Sequence, residues 1–413
     1  MKNFLFYGLA SAVLIPVLFC SVLVASSEQT IFVFPANGSG GNTPTGGLIS
    51  DAAGNLYGVT EIGGSFGNGA VFKLSFESGV WSETVLYSFL GASFADGAGP
   101  YSALLLDAAG NLYGTTAGGG PSGNGTVFKL APDGSGGWTE TILHAFNGTD
   151  GSGPVLAPLV SDAQGNLYGV TDGGCVFGHC ANGTIFELIP RQNSSWSYKV
   201  LHSFGHTGLP LGGLVFDKSG KLYGTTTYDG PKYCSSLSGC GTIYKLSHGP
   251  KSWAFGTIHA FNYTDGEYPE GNLILDSSGN IYGTTLLGGA YNGGVAFRLS
   301  LTKTGWKENV LYVFGAPGDG QGPSSLVFGS SGHLFGSVPS SIDVNYNFQN
   351  GYVFELSRQA NGTWSETVLY AFPQGNSVSF PNSSLIWNNA GTALIGTLGP
   401  DSDPAGAVYE VAP

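Results

Sequence analysis

Short apolar runs alternate along the chain with turns rich in Gly, Pro, Asn and Asp, and no stretch holds a helical period long enough to compete with strands. The runs repeat. The phrase Asp107 to Gly114, Asp-Ala-Ala-Gly-Asn-Leu-Tyr-Gly, is rewritten in close variants beginning at Asp51, Asp162, Asp217, Asp276, Gly329 and Asn388. Its mean spacing of about 56 residues is in the range of a propeller blade.

Aligned on that phrase, each period carries four apolar runs, which are predicted as strands A to D. Strand A holds a leucine three residues before the Asp column: Leu48, Leu104, Leu159, Leu214, Leu273, Leu326 and Leu385. Strand B ends its Leu-Tyr-Gly core on Gly58, Gly114, Gly169, Gly224, Gly283, Gly336 or Gly396. A glycine weakens a strand, so its recurrence predicts a large side chain or a backbone packed against it. Strand C reads Gly-Thr-Val-Phe-Lys-Leu, with an aromatic at Phe72, Phe128, Phe186, Tyr244, Phe297, Phe354 and Tyr409. Strand D reads Trp-Ser-Glu-Thr-Val-Leu-Tyr-Ser-Phe, and the six tryptophans that open it are read as packing residues, with a surface binding role as the alternative.

The two ends of the repeat region complement each other. A lone strand D (Thr30 to Phe34) comes first and a strand C (Ala407 to Val411) comes last, so the first strand is expected to complete the last blade. The predicted fold is all-β: a seven-bladed β-propeller of four-stranded antiparallel blades, occupying residues 28–413 as one domain. Composition agrees, because 42% hydrophobic and 10% charged residues suit strands packed on both faces, and 69 glycines supply the turns.

Residues 1–27 carry Lys2, an apolar run from Phe4 to Ala25 and small residues to Ser27, which reads as an export signal. The run also approaches the length of a membrane span, so an uncleaved anchor is the alternative and the one route to a membrane. Cys20 follows the bulky Phe19 and is read as a passive apolar residue rather than a lipidation site. Exported chains permit disulfides, and the remaining cysteines form two close pairs, Cys175 with Cys180 and Cys234 with Cys240, each in a loop from strand B to strand C. A metal site using His179 is the rival reading of the first pair. A net charge of −13 with no basic stripe excludes a nucleic-acid partner.

Candidate chemistry thins out on alignment. Asp51, Asp107, Asp162, Asp217 and Asp276 precede a turn glycine at fixed distance and are read as turn acceptors. Asp96, Asp150, Asp265 and Asp319, in Asp-Gly-x-x-Pro loops, are weak Ca²⁺ candidates, since each loop offers one carboxylate and a site needs six to eight oxygens. His144, His202 and His259 share a strand D column with Phe32, Tyr87, Tyr312 and Tyr370 and are read as aromatic substitutes. Gly63 to Gly67 and Gly118 to Gly123 match a nucleophile elbow and a dinucleotide fingerprint, but no helix follows either. No cofactor is expected. Variation between blades concentrates in the B to C loops, where Tyr228, Tyr233, Tyr291, Asp343, Asn345, Tyr346 and Phe348 supply aromatic and amide groups suited to a sugar or a peptide.

Gly110 to Leu130, with Gly-Asn-Leu-Tyr-Gly-Thr-Thr, a Gly-Gly step and Gly-Thr-Val-Phe-Lys-Leu, resembles the GloVer tandem-repeat family of exported bacterial proteins. Trp-x-Glu-Thr, Asp-Gly-x-x-Pro and the cysteine-containing loop before Gly-Thr-Ile-Phe share the resemblance. It implies a bacterial, exported protein built of repeats, and it carries no catalytic residues onto this chain. The expected function is a non-catalytic propeller that binds a glycan, a peptide or an envelope partner outside the cytoplasm through the face of the B to C loops. The alternative is an extracytoplasmic lyase or hydrolase acting at the central channel, and a purely structural role would leave no cavity there.

Overall fold

The computed structural model describes residues 28–35, 40–154, 156–173, 183–205, 208–231, 234, 239–249, 252–342, 348–373, 380–381, 383–399 and 406–413. They form seven antiparallel sheets, the blades of a β-propeller, and the helical content of the described residues is two short 3-10 turns. In blade 2 the order from the axis outwards is strand A (Leu105–Leu106), B (Leu112–Gly119), C (Thr126–Pro132) and D (Trp138–Ala145). Strand A pairs through only two residues, Leu105 with Tyr113 and Leu106 with Leu112. A proline precedes it in every blade; here it is Pro100, which ends a further inner segment, Gly97–Pro100, paired with the far end of strand B.

The strand B glycine has the predicted cause. A Cβ placed on Gly114 would lie 2.5 Å from Phe128 Cζ on strand C and 2.9 Å from Leu104 Cδ2 on strand A. The same collision recurs at Gly58 with Phe72 and at Gly224 with Tyr244, so the aromatic of strand C lies flat across strand B. That ring is fully buried in all seven blades.

Blades adhere through mixed clusters. Tyr57 and Val59 of blade 1 pack with Leu104, Leu112 and Phe128 of blade 2, and Trp138 of blade 2 rests on the same group. The tryptophans serve this interface: Trp196 meets Tyr113 at 6.4 Å, Trp253 meets Tyr168 at 5.8 Å and Trp306 meets Tyr223 at 5.9 Å between ring centroids. Each such aromatic buries enough surface to contribute about 2 kcal/mol. The strand D histidines also pack as rings, with His144 stacked on Tyr198 and His202 on Phe255, both at 3.8 Å.

The ring closes as the strand pattern predicts. Glu28–Val33 pairs antiparallel with Ala407–Val411, with Glu28 opposite Val411 and Val33 opposite Ala407. This strand starts at Glu28, two residues earlier than the apolar pattern indicates, because its pairing reaches the end of strand C. Phe34 follows it, buried, with its N–H donated to the Gly406 carbonyl at 3.1 Å.

The Asp column makes the A to B turns. Asp107 Oδ1 accepts the N–H groups of Ala109 (2.9 Å) and Asn111 (2.8 Å), while Oδ2 accepts the Asn111 amide (2.7 Å) and the Tyr113 hydroxyl (3.1 Å). Burial pushes its carboxyl up, but these donors outweigh burial and hold it below the ordinary value. Cys234 and Cys240 form a disulfide with Cα atoms 5.4 Å apart. Cys175, Cys180, His179 and residues 1–27 lie outside the described residues.

Candidate functional site

The residues just before each strand A leucine face the axis, because Leu itself turns into the blade. Nearest the leucine lies a ring of Gly47, Ala103, Pro158, Gly213, Asn272, Ser325 and Ser384. It is narrow: a Cβ on Gly47 would stand 3.6 Å from both Ala103 Cβ and Ser384 Cβ. Asn272 ties four blades together there. Its Oδ1 accepts the Gly213 N–H at 2.9 Å, its own N–H goes to Ser325 Oγ at 2.8 Å, and its Nδ2 reaches Ser384 Oγ at 3.3 Å.

Above this constriction, on the face of the B to C loops, opens a cavity of about 260 Å³. Thr45, Ser324, Ser325, Ser383 and Ser384 give it hydroxyls, Asn272 gives it an amide, and Tyr101, Leu156, Leu286 and Pro339 give it apolar walls. Among the described residues of the lining, Glu270 is the one carboxyl, and Lys, Arg and His are missing from that lining. Burial pushes the Glu270 carboxyl up to about 7. Burial, with Glu61 nearby, also raises the Tyr101 hydroxyl.

Such a lining can grip a polar, uncharged molecule that has one apolar face. Hydroxyls and an amide both donate and accept, and a carboxyl near its midpoint at neutral pH can do either. Among the described lining groups Glu270 has neither a second carboxyl nor a histidine beside it.

The structure distributes the sequence candidates unevenly. Tyr228 is not among the lining residues but lies near enough to Glu270 to feel its charge: burial raises its hydroxyl, followed by the influence of Tyr268 and Glu270, and its ring meets Tyr268 at 5.3 Å. Tyr291 is 55% exposed at a loop tip and does not line the cavity. Tyr233, Asp343, Asn345 and Tyr346 lie outside the described residues, and Phe348 opens a strand (Phe348–Arg358) without a described side chain. The cavity residues Tyr101, Glu270 and Asn272 went unread in the sequence. The signal for Asn272 was the column just before the strand A leucine, where Gly, Ala, Pro and Ser are interrupted by an amide, whereas Tyr101 and Glu270 stand three residues before their leucines in a column of mixed residue types.

The Asp-Gly-x-x-Pro carboxylates serve the fold around them. Asp96 accepts Tyr87 Oη (2.9 Å) and the N–H groups of Leu90 (2.8 Å) and Gly97 (2.6 Å), and Asp319 accepts Gly320 N–H (2.7 Å) and the hydroxyls of Tyr352 (2.8 Å) and Tyr312 (3.2 Å). Asp150 is held by the Asn147 N–H (3.0 Å) and His144 Nε2 (3.1 Å), Asp265 by the Asn262 N–H (2.8 Å) and His259 (3.5 Å). Among the described residues no group of three His, Cys, Asp or Glu side chains is placed to hold a metal ion, and no helix is long and apolar enough to cross a membrane.

The Gloeobacter/Verrucomicrobia repeat matches the chain over residues 21–238 and 210–409. No curated protein matches it. Among solved structures, a candidate 6-phosphogluconolactonase from Bacteroides uniformis is 14% identical, with a TM-score of 0.54, over 83% of this chain and 88% of its own. Its counterpart from Bacteroides fragilis is 16% identical, with a TM-score of 0.52, over 86% of each chain. PorZ, a surface component of the type-IX secretion system of Porphyromonas gingivalis, is 14% identical, with a TM-score of 0.50, over 89% of this chain and 46% of its own. At these identities the likeness shows the propeller fold alone.

Proposed function

The chain belongs to the Gloeobacter/Verrucomicrobia repeat family, and from its site geometry we propose that it is a non-catalytic binding propeller working outside the cytoplasm. Its ligand is the end of a neutral glycan, taken into the channel mouth on the face of the B to C loops. The observation that carries this reading is the cavity lining, in which hydroxyls and the Asn272 amide surround Tyr101 and a single carboxyl, Glu270. A sugar ring offers what such a lining can use, an apolar face for Tyr101 and hydroxyls for Ser324, Ser384 and Asn272. The Cys234–Cys240 disulfide favours an oxidising compartment.

The test is retention on a panel of immobilised polysaccharides, with the supernatant assayed for released sugars. Retention without product, weakened about tenfold or more by Tyr101→Ala, is expected, since the loss of an aromatic platform typically costs over 1 kcal/mol. Release of product that disappears in Glu270→Gln would replace this reading with a hydrolase or lyase. Absence of both retention and product would remove the glycan.

A further inference from the structure

A second cavity lies on the opposite face, between blades 3 and 4. It measures about 550 Å³ and is walled by Tyr168, Phe216, Trp253 and His248, with Glu187, Asp162 and Asp217 on its polar side. Comparison with the other blades explains why it is open. The strand C position after the buried aromatic is Lys73, Lys129, Lys245 and Arg298 in blades 1, 2, 4 and 5, each directly across from a strand B tyrosine. Lys73 and Lys129 hold their ammonium groups 5.9 and 5.8 Å from the ring centroids of Tyr57 and Tyr113, so the chain fills these interfaces with its own cation. In blade 3 the same position is Glu187, across from Tyr168, and the aromatic wall remains while the cation is replaced by an acid.

The other two acids in this column are supplied with donors. Glu355 pairs with the His333 imidazole, and Glu410 accepts the Asn388 amide at 2.7 Å. A groove also opens beside Glu410, between blades 7 and 1, but it is smaller, about 260 Å³, and Ile395 stands where the tyrosine would be. Glu187 differs from both. It is only 7% exposed, and its hydrogen bond is to Tyr168 Oη at 2.8 Å, a hydroxyl that also lies 3.0 Å from Asp162 Oδ2. One phenolic proton cannot serve two carboxylates, and Asp162 already accepts the Gln164 N–H and both nitrogens of Asn166. Even with that proton, Glu187 accepts from one donor, against three N–H groups on Asp162 without it, so Glu187 is the acceptor with capacity to spare.

The cations nearby do not fill the deficit. Lys218 donates its ammonium to the Ser277 carbonyl at 3.3 Å, and Lys221 sits 3.9 Å from Asp217. Lys199, across from Glu187 on strand D, is exposed and makes no ion pair with it. We propose that the groove between blades 3 and 4 binds an alkylammonium, the end of a lysine side chain or of a free diamine, with its charge on Glu187 and its stem against Trp253 and Phe216. The ligand takes the place that Lys73 and Lys129 occupy in their own blades. The groove is distinct from the channel mouth, and this site stands whether or not a glycan binds there.

The experiment is calorimetric titration with cadaverine, with a short lysine-containing peptide, and with the neutral diol of the same length as cadaverine. Saturable binding of cadaverine or of the peptide is expected, with none by the diol. Binding of both marks a site that accepts a lysine side chain, and binding of cadaverine alone marks one for free amines. Glu187→Gln should weaken binding about tenfold or more, the usual loss for a hydrogen bond to a charged group. Glu187→Lys should abolish it by giving blade 3 the cation of its sister blades, and Lys199→Ala should not weaken it. Failure of both amines to bind, binding of the diol with equal affinity, or binding unchanged in Glu187→Gln would overturn the proposal.

Discussion

Replacing Gly114 by Ala adds one methyl group where the fold has no room for it. The new Cβ would stand 2.5 Å from Phe128 Cζ and 2.9 Å from Leu104 Cδ2, about 1 Å inside ordinary carbon contact. Phe128 is fully buried, Leu104 is 3% exposed, and neither can swing into solvent. Overpacking of this kind costs about 1–3 kcal/mol. Urea unfolding followed by tryptophan fluorescence should show the midpoint falling with the slope unchanged. The causal claim is checked by a double-mutant cycle with Phe128→Leu, which alone leaves a cavity costing about 1–3 kcal/mol. With Leu at 128 the offending Cζ is gone, so the two changes should together cost less than their sum by about 1 kcal/mol or more. Strict additivity would refute the argument that the glycine exists to admit the ring.

Tyr244 and Tyr409 replace the usual strand C phenylalanine and bury hydroxyls without a hydrogen-bond partner, so Tyr244→Phe and Tyr409→Phe should each stabilise by about 1 kcal/mol in the same unfolding assay. Burial, reinforced by Asp96, Asp265 and Asp319 respectively, pushes Glu140 and Glu308 up to about 7 and Glu366 up to about 8. Because the folded state holds these protons more tightly than the unfolded one, stability should fall as pH rises from about 4.5 to 8. Differential scanning calorimetry should show this decline flattened in the Glu140→Gln, Glu308→Gln, Glu366→Gln triple variant. The lowered carboxyls of Asp51, Asp107, Asp217 and Asp276 act oppositely, and their stabilisation should be lost as pH falls through their folded values. Cleaving the Cys234–Cys240 bond with a reductant should cost at most roughly 2 kcal/mol, since the loop it closes is short, and circular dichroism of the ring should not change.

The fold was legible because every blade solves the same packing problem with the same residues. Gly114 makes sense only beside Phe128, and Asp107 only beside Asn111 and Tyr113; seven repetitions of such pairs leave little freedom to the reading. The channel mouth was harder to read for the same reason. Variation in loop length draws the eye to Tyr291 and its neighbours, whereas Tyr101, Glu270 and Asn272 differ from their counterparts by single residues in a short inner segment. Which of those side chains meet depends on the closure of the ring, where Asn272 and Ser384, 112 positions apart, share a hydrogen bond. The groove at Glu187 lies at a strand C column that holds four cations and three acids, but what sets Glu187 apart from the other two acids depends on Tyr168 and on Trp253 of the following blade.

The pairing of Glu28–Val33 with Ala407–Val411 also sets a timetable. During synthesis Glu28–Val33 must wait for Ala407–Val411, while blades 1 to 6 can each assemble from neighbouring sequence. Joining ends so far apart carries a loop-closure entropy cost, on the order of 5 kcal/mol for a loop of this length if nothing were yet formed. Sequential blade assembly reduces it by bringing the two ends together around the circle before they meet. A chain emerging from its N-terminal end would therefore keep its final blade, and an unpaired sheet edge beside it, waiting until Ala407–Val411 arrives.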